Sequence, residues 1–412
     1  MMVPEWPEPA VERLLREQSP HVVSALVRRY GDFETSEDAA QEAMLAAHVQ
    51  WPRDGLPADP RGWLIRVASR RLIDQWRSET ARRDREARDD RHQTEFGSTS
   101  VTPDTDDSLT LMLMCCHPAL TRTAQIPLTL RAVGGLTTAQ IGQVLLTSES
   151  TVAQRISRAK SRLREAGARF AAPVDPGSRL AAVQQVLYLI FTEGHSPSTT
   201  SADQVSATRE AIRLARMLRE HCPHDRETAG LLALMLLTEA RQEARFDANG
   251  ALVALTDQDR TLWDQDQIRE GIAILEATLP GGSAGPYALQ AAMAAVHSDA
   301  ATAASTDWPQ ILVLYDLLSA TSPGPVVRLN RAVAVAMVHG PQAGLREVEA
   351  IADARELRGS HRVHAVRAHL LEMSGAFEAA REAYAHAAAR ATNPAEQAYL
   401  RARMSGAQDP SD

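Results

Sequence analysis

The stretch TTAQIGQVLLTSESTVAQRISRAKSRLR, Thr137–Arg164, decides how the chain is read, because it encodes two short helices separated by a tight turn. Thr137 followed three residues later by Gln140 is a capping box, and Gly134-Gly135 ends the helix before it. A second N-cap falls at Ser148. From there Val152, Ile156, Ala159 and Leu163 recur at helical spacing on one face, while Ser150, Gln154, Ser157, Arg158 and Ser161 share the opposite face. The pattern fits a helix-turn-helix whose second helix enters a DNA major groove. Gln pairs with adenine there and Arg with guanine, so Ser150, Gln154, Ser157 and Arg158 are expected to meet base edges. Arg155, Lys160, Arg162 and Arg164 lie on the flanks, where phosphates run. A solvated amphipathic helix has the same periodicity, so the neighbouring sequence must separate the two readings.

The totals narrow the class. At 412 residues and 44% hydrophobic content the chain is long enough for two or three domains with proper cores. Three cysteines, no signal-like N-terminus and no long apolar run lead to the expectation of a soluble, cytoplasmic protein without membrane contact or disulfide framework. Cys115-Cys116-His117 is read as packing, since adjacent cysteines do not readily share a tetrahedral site and no second ligand pair is near; neither metal nor cofactor is expected. Residues 1–170 carry 23 basic and 23 acidic groups, whereas residues 171–412 carry 21 and 29, which is the whole of the net charge of −8. Within the neutral part, Arg61–Arg91 holds ten Arg against six acids. Basic patches confined to one half fit local DNA contact better than general polyanion binding.

Upstream, Val11, Leu14, Leu15, Val22, Val23, Leu26 and Val27 predict helix from Ala10 to Tyr30, interrupted near Pro20. Ser36-Glu37-Asp38 predicts the cap of a second helix, Asp38–Gln50, with Ala39, Ala43, Ala46 and Ala47 inside. The loop Trp51–Pro60 is too rich in Pro and Gly to be helical throughout, and a third helix is expected from Arg61 to about Arg77. Trp63 and Trp76 are expected in the core, and Arg66, Arg70 and Arg77 form a basic stripe. Thr80–Ser108 is polar, charged and nearly free of apolar residues, as a linker would be.

SEDAAQEAMLAA followed by PRGWLIRVASRRLIDQWR resembles region 2 of sigma-70 family factors of the extracytoplasmic-function type, and Leu109–Gly167 resembles their region 4. The CCHPAL and LRAVGGLTTAQI segments, with YLIFTEGH, ARFDANGALVALTDQDRTLWD and DWPQILVLYDLL farther on, resemble the subgroup with a large C-terminal helical extension. The resemblance implies that Asp38, Gln41 and Glu42 dock on the clamp of the largest RNA polymerase subunit. It implies that Arg53, Asp54, Arg66, Arg70 and Arg77 serve −10 recognition and melting. Region 4 would read the −35 element through Ser150, Gln154, Arg155, Ser157, Arg158, Lys160 and Arg162, and sit on the flap of the second-largest subunit. Read without the resemblance, Asp38, Gln41 and Glu42 are an ordinary acidic first turn.

Residues 177–412 are too long for a tail. Gly375-x-Phe377-x-x-Ala380-x-x-x-Tyr384 fits a tetratricopeptide-like second helix, Gly340 lies 35 residues earlier at a similar break after Val326–His339, and Glu210–Leu237 gives a helix pair around Pro223. Ala244–Asp264 interrupts the pattern: its D-x-N-G turn predicts a short hairpin, followed by Asp257, Asp259 and Asp264, better suited to a surface or helix caps than to a calcium loop.

The expectation is therefore an all-α protein: a region-2-like domain at 8–80, a linker at 81–108, a helix-turn-helix domain at 109–170 and a tetratricopeptide-like array at 177–405. Its partners would be core RNA polymerase and promoter DNA, with a protein partner or an intramolecular surface for the array, which would regulate the sigma domains. A one-component regulator with a helical sensor is the alternative. An enzyme fits poorly, because no phosphate loop, Gly-x-Ser-x-Gly or paired zinc motif is present.

Overall fold

Helix caps and buried aliphatic stripes build the molecule almost without other elements. The computed structural model describes residues 8–86, 107–168, 176–195 and 202–406, apart from positions 146, 249 and 281 and four positions between 353 and 359. Among these residues there are eighteen α-helices and no strand, and the chain forms two compact units, 1–193 and 194–412. No described helix is long and apolar enough to cross a membrane.

The first unit begins with α1 (Glu8–Tyr30), α2 (Phe33–Asp54) and α3 (Pro60–Glu86). α1 runs through Pro20 without the expected interruption. A proline inside a helix costs about 3 kcal/mol. Val11, Leu15, Val22, Val23 and Leu26 are all buried, at about 1.5–3 kcal/mol per side chain, so packing outweighs the breaker. α2 starts five residues earlier than expected, at Phe33. Asp32 is the cap, its carboxylate accepting from the amides of Glu34 and Thr35. Ser36, Glu37 and Asp38 are consequently helical, and Glu37 turns inward. α2 continues through Pro52 to Asp54, where Gly55, at φ 84°, ends it; the expected loop shrinks to 55–59. α3 extends nine residues past Arg77 into the expected linker, the rest of which up to 106 lies outside the described residues.

The same unit continues with α4 (Ser108–Cys115), α5 (Arg122–Ala132), α6 (Thr138–Val144), α7 (Glu149–Glu165) and α8 (Pro176–Gly194). Gly135 has φ 69°, and an added Cβ would lie 2.9 Å from the Ser19 Cβ, so the turn before the helix-turn-helix presses against α1. Ser19 Oγ also donates to the Ala132 carbonyl.

The second unit comprises α9 (Ala202–His221), α10 (Arg226–Glu239), α11 (Gln265–Thr278), α12 (Pro286–Asp299), α13 (Trp308–Thr321), α14 (Pro325–His339), α15 (Pro341–Glu349), α16 (His361–Met373), α17 (Phe377–Arg390) and α18 (Pro394–Gly406). Helices joined by short breaks pack on their sequence neighbours, as in α-solenoids. Gly340 and Gly375, at φ 86° and 77°, occupy two breaks of the expected repeat. At Gly230 an added Cβ would stand 2.5 Å from the Ala288 nitrogen, so α10 and α12 cross backbone to backbone. Glu227 accepts from the amides of Tyr287 and Ala288 at the start of α12.

The hairpin expected within Ala244–Asp264 is reduced to one antiparallel bridge, Phe246 to Leu252, closed by Gly250 at φ 77°. Of Asp257, Asp259 and Asp264, two are caps: Asp259 accepts from the Thr261 amide, and Asp264 caps α11 through Asp266 and Gln267. Among the described residues no cluster of three His, Cys, Asp or Glu could hold a metal.

Candidate nucleic-acid and polymerase interface

The helix-turn-helix forms as its caps dictate. The Thr137 amide donates to Gln140 Oε1 at 2.9 Å and the Gln140 amide donates to Thr137 Oγ1 at 3.2 Å, closing the capping box at α6. Ser148 Oγ accepts from the Thr151 amide at the start of α7. α7 buries Val152, Ile156, Ala159 and Leu163 and leaves Ser150, Gln154, Ser157, Arg158, Arg162 and Arg164 exposed, with Arg155 partly exposed. Residues suited to base edges therefore lie exposed on one side of the helix, with Ser150 Oγ also bonded to Ser148 Oγ at 3.1 Å.

Lys160 is placed differently. Its side chain is only 7% exposed, and Nζ lies 2.6 Å from Glu37 Oε2 and 2.6 Å from Asp38 Oδ1. Glu37, 1% exposed, also accepts from Arg131 Nε at 3.1 Å. Burial by itself pulls the Lys160 pKa down; the Glu37 charge and the hydrogen bonds from Lys160 to Asp38 and Glu37 outweigh it, and the net shift is upward. Gln41, also buried, donates to the Arg131 carbonyl at 3.3 Å, and Arg164 pairs with Glu34 at 2.5 Å. Thus α2 and α7 are clasped by charge, and of the three residues assigned to polymerase contact Asp38 takes part in the clasp while Gln41 is tied to α5. Glu42 is outside this network, exposed and 3.7 Å from Arg71.

A second surface gathers on α2 and α3. Arg66, Arg70 and Arg77 are exposed, as are Arg53 and Asp54 at the end of α2. Arg66 and Arg70 join Gln50, Trp63, Arg71 and Asp74 around a cleft of about 450 Å³; Arg77 is not among its lining residues. Trp63 meets buried Trp51 edge to face at 5.5 Å, and Trp76 meets Tyr30 in the same manner at 5.4 Å. Both tryptophans expected in the core are half-buried instead, each held by an aromatic neighbour, and Trp63 keeps an aspect toward the cleft. Cations beside an aromatic-walled cleft suit an unstacked base and its phosphate.

Residues 14–82 match the family model for Sigma-70 region 2. Residues 110–163 match Sigma-70, region 4. The chain belongs to the sigma-70 family. It is of the extracytoplasmic-function type and carries a helical C-terminal extension, of which residues 179–279 match a family of unknown function, DUF6596. It is 43% identical over 397 residues to an uncharacterized protein of Rhizobium meliloti, covering 93% of each chain. Over 164 residues it is 32% identical to the probable ECF RNA polymerase sigma factor SigI of Mycobacterium tuberculosis, covering 38% of this chain and 54% of that one. No solved structure matches. The region 2 match leaves the one-component regulator without support. Sigma factor families are transcription initiation factors that interact with core RNA polymerase and promoter DNA.

The sequence reading overlooked several residues of this sigma factor. Glu37 and Arg131 anchor the charge clasp, and Arg71 and Gln50 line the cleft. Leu45 and Val49, 61% and 55% exposed, continue the outward line of Asp38 and Glu42 along α2. Their spacing was a usable signal: large aliphatics at seven and eleven residues from Asp38 fall on the acidic face, away from the alanine face. By contrast Cys115 and Cys116 are packed as expected; burial raises both thiols, Cys116 to about 12.

Proposed function

We propose that this sigma factor directs core RNA polymerase to a specific set of promoters, with α7 reading the −35 element and the α2–α3 cleft receiving the melted −10 strand. The observation that carries the reading is the exposed face of α7, where Gln154 and Arg158 stand free above a fully buried apolar side. In this reading Arg53, Asp54, Arg66, Arg70 and Arg77 serve the −10 element, and Ser150, Arg155, Ser157 and Arg162 join Gln154 and Arg158 at −35. Asp38, Gln41 and Glu42, extended by Leu45 and Val49, dock on the clamp of the largest subunit, and the region 4 domain rests on the flap of the second-largest. The setting is the cytoplasm, where polymerase and promoters are. The C-terminal unit regulates these steps.

The clasp between α2 and α7 supports a resting form of the first unit. Asp38 and Gln41 are held by region 4 groups, and Lys160 is held by carboxylates rather than by phosphates. In our reading, polymerase binding separates α2 from α5 and α7 and frees all three residues.

Run-off transcription with core polymerase tests the assignment. Alanine at Gln154 or Arg158 is expected to change promoter choice at particular base positions, by about 1–3 kcal/mol each. Alanine at Arg155 or Arg162 is expected to weaken binding across sequences and lower the salt dependence. Uniform behaviour of all four variants would remove the face assignment. Deleting the residues beyond 194, which leaves α8 in the first unit, is expected to change promoter-specific output, and unchanged output would remove the regulatory role of the C-terminal unit.

A further inference from the structure

The second unit contains a cavity of about 360 Å³ between α10, α12, α13 and α14. Its floor is apolar, with Leu234, Met293 and Ile311, and Trp308 and Tyr315 supply aromatic walls. Gln290 and Asn330 add neutral polar groups. Arg241, just past the end of α10, is the cation lining it. Such a composition, apolar walls with a few convergent polar groups, is that of a small-molecule site, and the volume lies near the small end of the usual range of about 300–1,000 Å³.

Arg241 is unusual in what it lacks. Its Nε is buried without a hydrogen-bond partner, and among the described residues no carboxylate pairs with it. The surrounding charges worsen its position. Burial first, then Arg245 and Arg260, lower its pKa to about 10, so it stays charged at neutral pH. His297, on the same wall, is pulled down to about 4 by burial and by Arg241 and Arg260, so it is neutral. Arg260 is committed elsewhere, donating to the carbonyls of His297 and Ala300 at 2.6 Å and lying 4.4 Å over the Trp263 ring. Arg245 donates to the carbonyl of His195 and to Gln242. The carbonyl end of α10 offsets part of the charge, by the roughly 0.3–1 kcal/mol a helix terminus supplies. An unpaired cation in partly desolvated surroundings is stabilised most by an anion that completes it.

We propose that this cavity binds a small organic carboxylate, with the guanidinium of Arg241 holding the carboxylate and Trp308, Tyr315 and Ile311 enclosing an apolar or aromatic body. A planar fork facing a carboxylate accounts for the charge, and the walls account for the rest of the ligand. The site stands apart from the transcription reading, because its test needs neither polymerase nor DNA.

The test uses the full-length protein with phenylacetate and indole-3-acetate as probes, their neutral amides as controls, and inorganic phosphate as an anion without an apolar body. With the acids at ~10 mM, the C-terminal unit is expected to unfold about 3 °C higher, the rise for a ligand at tenfold its Kd in a unit of this size. The amides and phosphate are expected to leave it unchanged. Arg241→Met is expected to abolish the response and to raise the unfolding temperature of the unliganded protein. Should that variant fail to fold, Arg241→Lys, which keeps the charge but loses the fork, is expected to bind the acids at least about tenfold more weakly in a fluorescence titration read against Trp308→Phe. No response to either acid, an equal response to the amides, a response to phosphate alone, or a response retained by the Arg241 variant overturns the proposal.

Discussion

Lys160 is buried and Arg241 is half-buried with its Nε withdrawn from water, in different units, and their surroundings are opposite. Lys160 has two carboxylates at 2.6 Å, one of them buried, and its pKa is pushed up. Arg241 has no carboxylate among the described residues, has two arginines acting on it, and its pKa is pushed down. The first cation is spent within its own unit, as a clasp holding α2 to α7. The second is left with unfilled bonding capacity beside a cavity. The lesson is that burial of a charge identifies function only together with an account of its partners: a satisfied one joins elements, and an unsatisfied one points to something that arrives.

Substitution of the clasp is the strongest way to break this contrast. Lys160→Met is expected to destabilise the first unit by about 3 kcal/mol, the lower end for removing one partner of a buried pair, because Arg131 still faces Glu37. Urea unfolding measures it, and an unchanged midpoint would show that the clasp contributes nothing. The opposite sign is expected for Arg241→Met, a gain of about 1 kcal/mol in the unliganded protein, since an apolar chain replaces an uncompensated cation. If both variants lose stability alike, the difference between the two sites disappears.

The smallest expected effect, over the ordinary range, is that of pH on the clasp. A lysine raised above its unfolded value of about 10.5 contributes its full stability below that value and loses it as pH rises through the folded pKa. The Lys160 contribution is thus expected to be flat from pH 7 to 9 and to fall above about 10.5. Comparing urea midpoints of the native protein and Lys160→Met across that range checks it. A difference that vanished near pH 8 would contradict the upward shift.

Much of the fold was legible because its signals are local. The capping box at Thr137 and Gln140, the cap at Ser148 and the apolar face of α7 need only a few neighbouring residues, and all are present as read. Pro20 and Ser36-Glu37-Asp38 misled for the same reason in reverse. A breaker and a cap are local propensities, and burial of α1 together with the competing cap at Asp32 overrode them. In the candidate interface, Arg66 and Arg70 were legible from their stripe, while Arg71, Gln50 and the exposed aliphatics Leu45 and Val49 needed the packing of α2 on α3 to acquire a meaning.

The sequence alone determined that α7 would be a capped helix with one apolar and one readable face, because periodicity and capping act within a turn or two of chain. It also determined that the second half would be helical and acidic. Only the tertiary structure decided that Lys160 meets Asp38, 122 residues away, instead of lying open, and that Arg241 meets no acid among the described residues. Charge pairing over such separations depends on how helices pack, and composition counts charges without saying which of them will face one another.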